Sequence, residues 1–211
     1  MGPYIPMCLL LAGAQSEIID RIAVTLDNQV ITASGIALEI RLTAFLNGAP
    51  LDFSPDARRK AANRLIEQRL IRREMQVGRY IQPAPEEVEP LLKQVQAQRF
   101  HSQEEYRQAL VKYGIRDDEL KQHLLWQLTL LRFVYIRFRP AVQVTDSDIQ
   151  AYFERHSAQM GAGVSGKPAL DDVRDQIRRI LTDEGADKEL DNWLAGARQR
   201  ARVEFHPEAF R

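Results

Sequence analysis

The stretch IIDRIAVTLDNQVITAS, residues 18–34, alternates apolar and polar side chains, is rich in β-branched residues and carries Asp27-Asn28 at its centre. A period of two places one set of side chains on a buried face, and aspartate and asparagine tolerate the positive φ of a tight turn. The pattern predicts a β-hairpin, 18–26 and 29–32. Two strands alone are only marginally stable in water, so the hairpin needs a third strand or a helical layer. The sequence offers one candidate strand, ARVEFHP at 201–207, a short alternating run stopped by Pro207. Pairing there joins both ends of the chain in one small antiparallel sheet.

Between these strands the chain is punctuated as helices. Ser34 is read as the cap of a helix carrying Ile36, Leu38, Ile40, Leu42 and Phe45, ending near Asn47-Gly48. Ser54-Pro55 supplies an N-cap and a first-turn proline for a helix to about Val77, with Ala61, Ala62, Leu65, Ile66, Leu70 and Ile71 at helical spacing. A helix over 86–98 is approached through Pro83 and Pro85, and Ser102 with Glu105 forms a capping box for a short helix to Tyr113. The longest helix spans 117–138, and Thr145 with Asp148 starts the next, which contains Ile149, Tyr152 and Phe153. From Ala169 to about Arg200 the pattern is one or two helices, with a break expected at Gly185. The fold class is therefore mainly α with a small antiparallel β-sheet.

Composition narrows the function classes. Lysine plus arginine and aspartate plus glutamate each number 29 in 211 residues, so no overall field draws the protein to nucleic acid or an anionic membrane. The single cysteine, Cys8, excludes an intramolecular disulfide and a cysteine-based metal cluster. Cys8 sits in an apolar run, Ile5 to Leu11, followed by Ala12-Gly13-Ala14, the small-x-small pattern of a signal-peptidase site. Residues 1–14 are read as a signal peptide although a basic leading region is lacking. No other run approaches the ~20 apolar residues that span a bilayer, so the expectation is an exported protein without membrane insertion.

The order of the segments resembles a family. IIDRIAVTLDNQVIT is followed by AANRLIEQRLIRREMQVG (61–78), QEEYRQALVKYGIRDDELKQHLLWQLTLLRFV (103–134) and VTDSDIQAYFERH (144–156). Together they look like the N-terminal chaperone module of SurA-type periplasmic proteins. VRDQIRRILTDEGADKELDNWLAGARQRARVEF (173–205) is similar to that family's C-terminal helix and closing strand, which complete the same module. The likeness covers about residues 17–205 and lies in the ordered set rather than in any one motif. It divides the chain into the signal at 1–14, an N-terminal chaperone module at 15–156, a flexible linker at 157–168, and a C-terminal helix and strand at 169–211.

In that family, parvulin-type prolyl isomerase domains stand between the YFERH-like segment and the C-terminal helix. Here the interval, Ser157 to Lys167, is far shorter than the ~50 residues of a small domain. The isomerase domain is absent on this reading. His101, His123, His156 and His206 fall on separate elements, and no nucleophile elbow, phosphate loop, HExxH or EF-hand pattern occurs. No catalytic residue, metal ligand or cofactor is expected.

The resemblance implies an ATP-independent holdase for unfolded or partly folded exported and outer-membrane-type proteins, presenting apolar and aromatic surface. On the helix over 117–138, Leu120, Leu124, Leu128, Leu131, Tyr135 and Phe138 follow three-four spacing and are expected to face the core. Trp126, Leu130 and Phe133 then form a second apolar side, which is either the client-binding surface or buried against the C-terminal helix near Trp193. Two rivals remain. A structural or dimerising envelope adaptor, including a homodimer, would use the same surface on one permanent partner. Nucleic-acid binding would use the arginines of the helix beginning at Pro55, against which stand the zero net charge and a ready explanation, that they face the acid-rich segment from Asp171 to Asp191.

Overall fold

The structure is a computed structural model, and it describes residues 20–160 and 169–211. The signal reading at 1–14, with Cys8, and the glycine-bearing 161–168 lie outside the described residues.

Strands β1 (Ile22–Leu26), β2 (Gln29–Thr32) and β3 (Val203–Phe205) form an antiparallel sheet in the order β2-β1-β3. The C-terminal strand thus supplies the third strand the hairpin needs, with Val24 opposite Phe205 and Leu26 opposite Val203. Asp27 holds the turn at φ 52. Its N–H donates to the Arg202 carbonyl, and its Oδ1 accepts from the Arg202 N–H, both at 2.9 Å. A bulge between Ile22 and Val24 breaks the alternation, so Ala23 and Val24 are both buried while Ile22 is exposed.

Helix α1 (Ala33–Asn47) leaves β2 without a loop. Its cap is Thr32, whose hydroxyl accepts from the Gly35 N–H at 3.3 Å, and not Ser34 as the sequence suggested. Thr32 still has the extended backbone of the strand, the geometry an N-cap needs, whereas Ser34 is already helical and bonds Asp20. Gly48, at φ 65, closes α1 in the left-handed conformation.

Helix α2 (Pro55–Val77) begins at the Ser54 cap as predicted. The helix expected over 86–98 is instead a 3₁₀ turn, Pro85–Val88, followed by α3 (Glu89–Arg99). Pro90 lacks the N–H that would continue α-helical bonding back into that turn, so the α-helix starts around it. Next come α4 (Gln103–Tyr113), α5 (Asp117–Arg137) and α6 (Asp146–Met160). Helix α6 runs past Ser157, where a linker was expected, because the first residue that disfavours helix is Gly161.

Helix α7 (Leu170–Arg200) is continuous, and the break expected at Gly185 does not occur. A Cβ at 185 would lie 2.5 Å from Val142 Cγ1, so glycine there admits a close neighbour rather than ending the helix.

Four apolar clusters hold these parts. The sheet, α1, α2, the end of α7 and Phe210 share the first, which includes Val24, Ile36, Ile66 and Ala197. Phe45, Leu92, Tyr106, Leu120 and Leu124 form the second between α1, α3, α4 and the start of α5. Ile71, Met75, Trp126, Phe133, Phe138 and Ala186 join α2, α5 and α7 in the third, and Ile149, Val173 and Ile177 join α6 to α7 in the fourth. Helix α5 therefore changes neighbours along its length. Leu120, Leu124 and Phe138 are buried as expected, but Leu131 is 67% and Tyr135 59% exposed. In the second half of α5 the buried face has rotated onto Trp126, Thr129 and Phe133, which meet α2 and α7.

Candidate functional site

Four helices leave a cleft between them of about 400 Å³. Helix α1 contributes Glu39, Thr43, Leu46 and Asn47, and α2 contributes Arg64, Glu67, Gln68 and Ile71. Helix α5 adds His123, Trp126, Gln127 and Leu130, and α7 adds Leu190, Asp191 and Leu194. Each set follows three-four spacing, so each helix turns one continuous stripe to the same space. Such stripes normally close into a core. Here polar and charged residues are mixed into all four, and the gap stays open.

At one side lies a polar cluster. Glu39 is buried, 6% exposed, and its Oε1 accepts from Arg64 Nε at 2.8 Å and from the Thr43 hydroxyl at 3.3 Å. Arg64 Nη2 also reaches Thr43 Oγ1 at 3.4 Å. His123 Nδ1 stands 3.7 Å from Glu39 Oε2, and its Nε2 is 3.3 Å from Gln127 Nε2. Burial lowers the His123 pKa from its ordinary 6.5, opposed by the Glu39 charge and assisted by Arg64. The imidazole is thus held neutral at pH 7. It is too far from Glu39 for the hydrogen bond of an acid–base pair, and Thr43 is the sole hydroxyl in the lining.

The apolar side is built from Leu46, Ile71, Trp126, Leu130, Leu190 and Leu194. Trp126 is 7% exposed, with the Arg72 guanidinium 4.4 Å from its ring centroid. The amides of Asn47, Gln68 and Gln127 add hydrogen-bonding groups of both signs. Burial raises the Glu67 pKa, with Asp191 acting in the same direction and Arg198 and Arg64 opposing.

Of the three residues proposed from sequence as a client surface, Trp126 and Leu130 reach the cleft wall and Phe133 does not. Phe133 is 1% exposed, its ring edge-on to Tyr80, Phe138 and Trp193 at centroid distances of 5.2, 5.6 and 6.1 Å. As an exposed apolar face this trio is a correction: two of the three are buried against α2 and α7, and the outward residues of this half of α5 are Leu131, Tyr135 and Ile136. Sequence reasoning missed Glu39, Arg64 and His123. The available signal was Glu39, a carboxylate between Ile36 and Ile40 in an otherwise apolar stripe.

The arginines of α2 are used locally. Arg64 pairs with Glu39 and Arg73 with Asp27, each at 2.8 Å, Arg59 lies over Phe210, and Arg58 donates to the Phe53 carbonyl. The sequence reading has them face the acid-rich segment: Arg64 shares the cleft lining with Asp191, but among the described residues none of them forms an ion pair with that segment. There, Asp171 and Asp175 meet Arg174 and Arg178 of their own helix, and Asp183 meets Arg139.

Among the described residues, no group of three or more histidine, cysteine, aspartate and glutamate side chains could hold a metal ion, and no helix is long and apolar enough to cross a membrane. The sequence matches no protein-family model, and no curated protein is significantly similar to it.

Proposed function

We propose that this protein is an ATP-independent, non-catalytic chaperone of the periplasm, which holds short stretches of unfolded or partly folded exported polypeptides, outer-membrane-type proteins among them. The observation that carries the reading is the cleft between α1, α2, α5 and α7, with apolar walls, amide side chains and no lid among the described residues. Its volume falls in the range of small-ligand sites, about 300–1,000 Å³, enough for a few side chains of an extended chain. Leucine and tryptophan walls take apolar side chains without selecting one shape, and Asn47, Gln68 and Gln127 can each donate to and accept from peptide groups. Affinity from so small an area is modest, which suits a holdase that releases its client without ATP.

The test is light scattering during dilution of an unfolded outer-membrane-type protein, with and without the chain, together with a proline-isomerisation assay. Suppressed aggregation, indifferent to added ATP, and isomerisation at background are the expected results. Gln127→Trp, at an exposed position on the cleft wall, fills the space and should reduce suppression while the melting temperature holds. Unchanged scattering with the wild-type chain defeats the chaperone reading, and measurable isomerisation defeats its non-catalytic part.

A second reading, a dimerising envelope adaptor, is favoured by the outward Leu131, Tyr135 and Ile136 on α5. A dimer whose mass is independent of concentration, with Leu131→Ser returning it to monomer, distinguishes that role from a holdase.

A further inference from the structure

The cleft is not electrically neutral. One arginine, Arg64, lines it against three carboxylates, Glu39, Glu67 and Asp191, with His123 held neutral. Arg64 is already engaged by Glu39 at 2.8 Å. Glu67 on α2 and Asp191 on α7 have no ion-pair partner among the described residues, and they sit close enough for the Asp191 charge to act on Glu67. Arg198 acts on Glu67 from outside the lining, where its Nη2 donates to Asn63 Oδ1 at 2.8 Å. Beside these carboxylates lie the apolar side chains of Leu190 and Leu194, one position before and three after Asp191.

We propose that the cleft selects polypeptide segments in which an apolar side chain stands next to a lysine or arginine, the apolar group filling the leucine and tryptophan wall and the cation resting between Glu67 and Asp191. This rests on the cleft being the polypeptide-binding site. Lysine and arginine fit both surfaces, because their aliphatic stems cover apolar area while the charged head stays at a wet, acidic rim. A neutral apolar segment leaves the like charges of half-buried Glu67 and exposed Asp191 uncompensated beside the apolar wall. An acidic segment adds a third like charge to them, and like-charge juxtaposition rejects wrong partners more strongly than attraction rewards right ones.

The experiment is fluorescence polarisation with three labelled peptides of identical leucine and phenylalanine content, carrying lysine, glutamine or glutamate at their polar positions. The wild-type chain should bind the lysine peptide about fivefold more tightly than the glutamine peptide at low salt, the scale of two partly exposed ion pairs, and the glutamate peptide most weakly. The preference should fade at high salt. In the double variant Glu67→Gln with Asp191→Asn, the advantage of the lysine peptide over the glutamine peptide should vanish, with melting curves checking that the variant folds. Equal affinities for the three peptides in the wild type, or a lysine preference that survives the double substitution, overturn the selection while leaving the cleft as a general polypeptide site. Failure of all three peptides to bind removes the polypeptide-binding reading itself, and the selection with it.

Discussion

Gly185 of α7 lies so close to Val142 that a Cβ added to it would stand 2.5 Å from Val142 Cγ1 and 3.1 Å from Cγ2. Helix propensity alone makes Gly185→Ala favourable by about 1 kcal/mol. The methyl group, however, enters a filled space between α7 and the segment that leaves α5, and overpacking of that kind costs about 1–3 kcal/mol. Gly185→Ala is expected to lower stability, and Val142→Ala in the same chain to restore much of the loss. Urea unfolding of the two single variants and the double supplies the coupling, and simple additivity of the two would show that the pair does not interact.

Phe133 and Leu131 are two residues apart on α5 but stand in different environments. Phe133 packs among Tyr80, Phe138 and Trp193 at 1% exposure, whereas Leu131 is 67% exposed. Phe133→Ala should cost about 3–5 kcal/mol, the range for removing a buried aromatic side chain. Leu131→Ser should stay within about 0.5 kcal/mol of the wild type. Thermal melts of the two variants decide it, and a reversal of the two would restore the apolar stripe read from sequence.

The contrast on α5 shows which features the sequence carries and which it does not. Caps and stops are local chemistry, so Ser54-Pro55, Ser102 and Asn47-Gly48 placed helix ends well, and the Ser34 cap missed by only two residues. The sheet was legible for the same reason, since β-branched alternation, Asp27-Asn28 and the short run before Pro207 each announce themselves over a few residues. What a helix faces depends on distant chain. Leu, Trp and Phe occur all around α5, and its buried face turns where α3 and α4 give way to α2 and α7, a change no periodicity on α5 records. Gly185 misleads for a related reason, because a glycine that ends a helix and one that admits a neighbour's side chain look alike in sequence. The cleft was hidden because Glu39, Arg64 and His123 interrupt its stripes, and polar positions read as solvent-facing until Arg64 is seen on Glu39 at 2.8 Å.

Asp27 ties three parts of the molecule together. Besides its two backbone links to Arg202, its Oδ2 accepts from Arg73 Nη1 of α2 at 2.8 Å. Asp27→Ala keeps the unfavourable φ and loses both acceptors, an expected cost of about 1–2 kcal/mol. Asp27→Asn keeps the acceptor for Arg202 and the tolerance of positive φ, so it should lose less than about 1 kcal/mol. Hydrogen exchange at β3 should accelerate in the alanine variant ahead of exchange in α2. Equal exchange at β3 in both variants and the wild type would falsify the role of the side chain in holding the C-terminal strand.

His123 makes stability depend on pH in a direction fixed by its environment. Burial lowers its folded pKa below the ordinary 6.5, so between the two values the unfolded chain binds a proton that the folded chain does not. Stability therefore falls as pH drops below about 6.5, and above that value the group contributes no pH dependence. Glu39 opposes the shift and Arg64 reinforces it, so Arg64→Gln should weaken the effect if the substituted glutamine still bonds Glu39. His123→Gln removes the titrating group and keeps a hydrogen-bonding partner for Gln127. Between pH 7.5 and 5.5 the wild type should lose more unfolding free energy than His123→Gln, and the carboxylates, present in both chains, cancel from that difference. Parallel losses in the two chains would mean that the imidazole is protonated in the folded state as readily as in the unfolded one, with Glu39 rather than burial governing it.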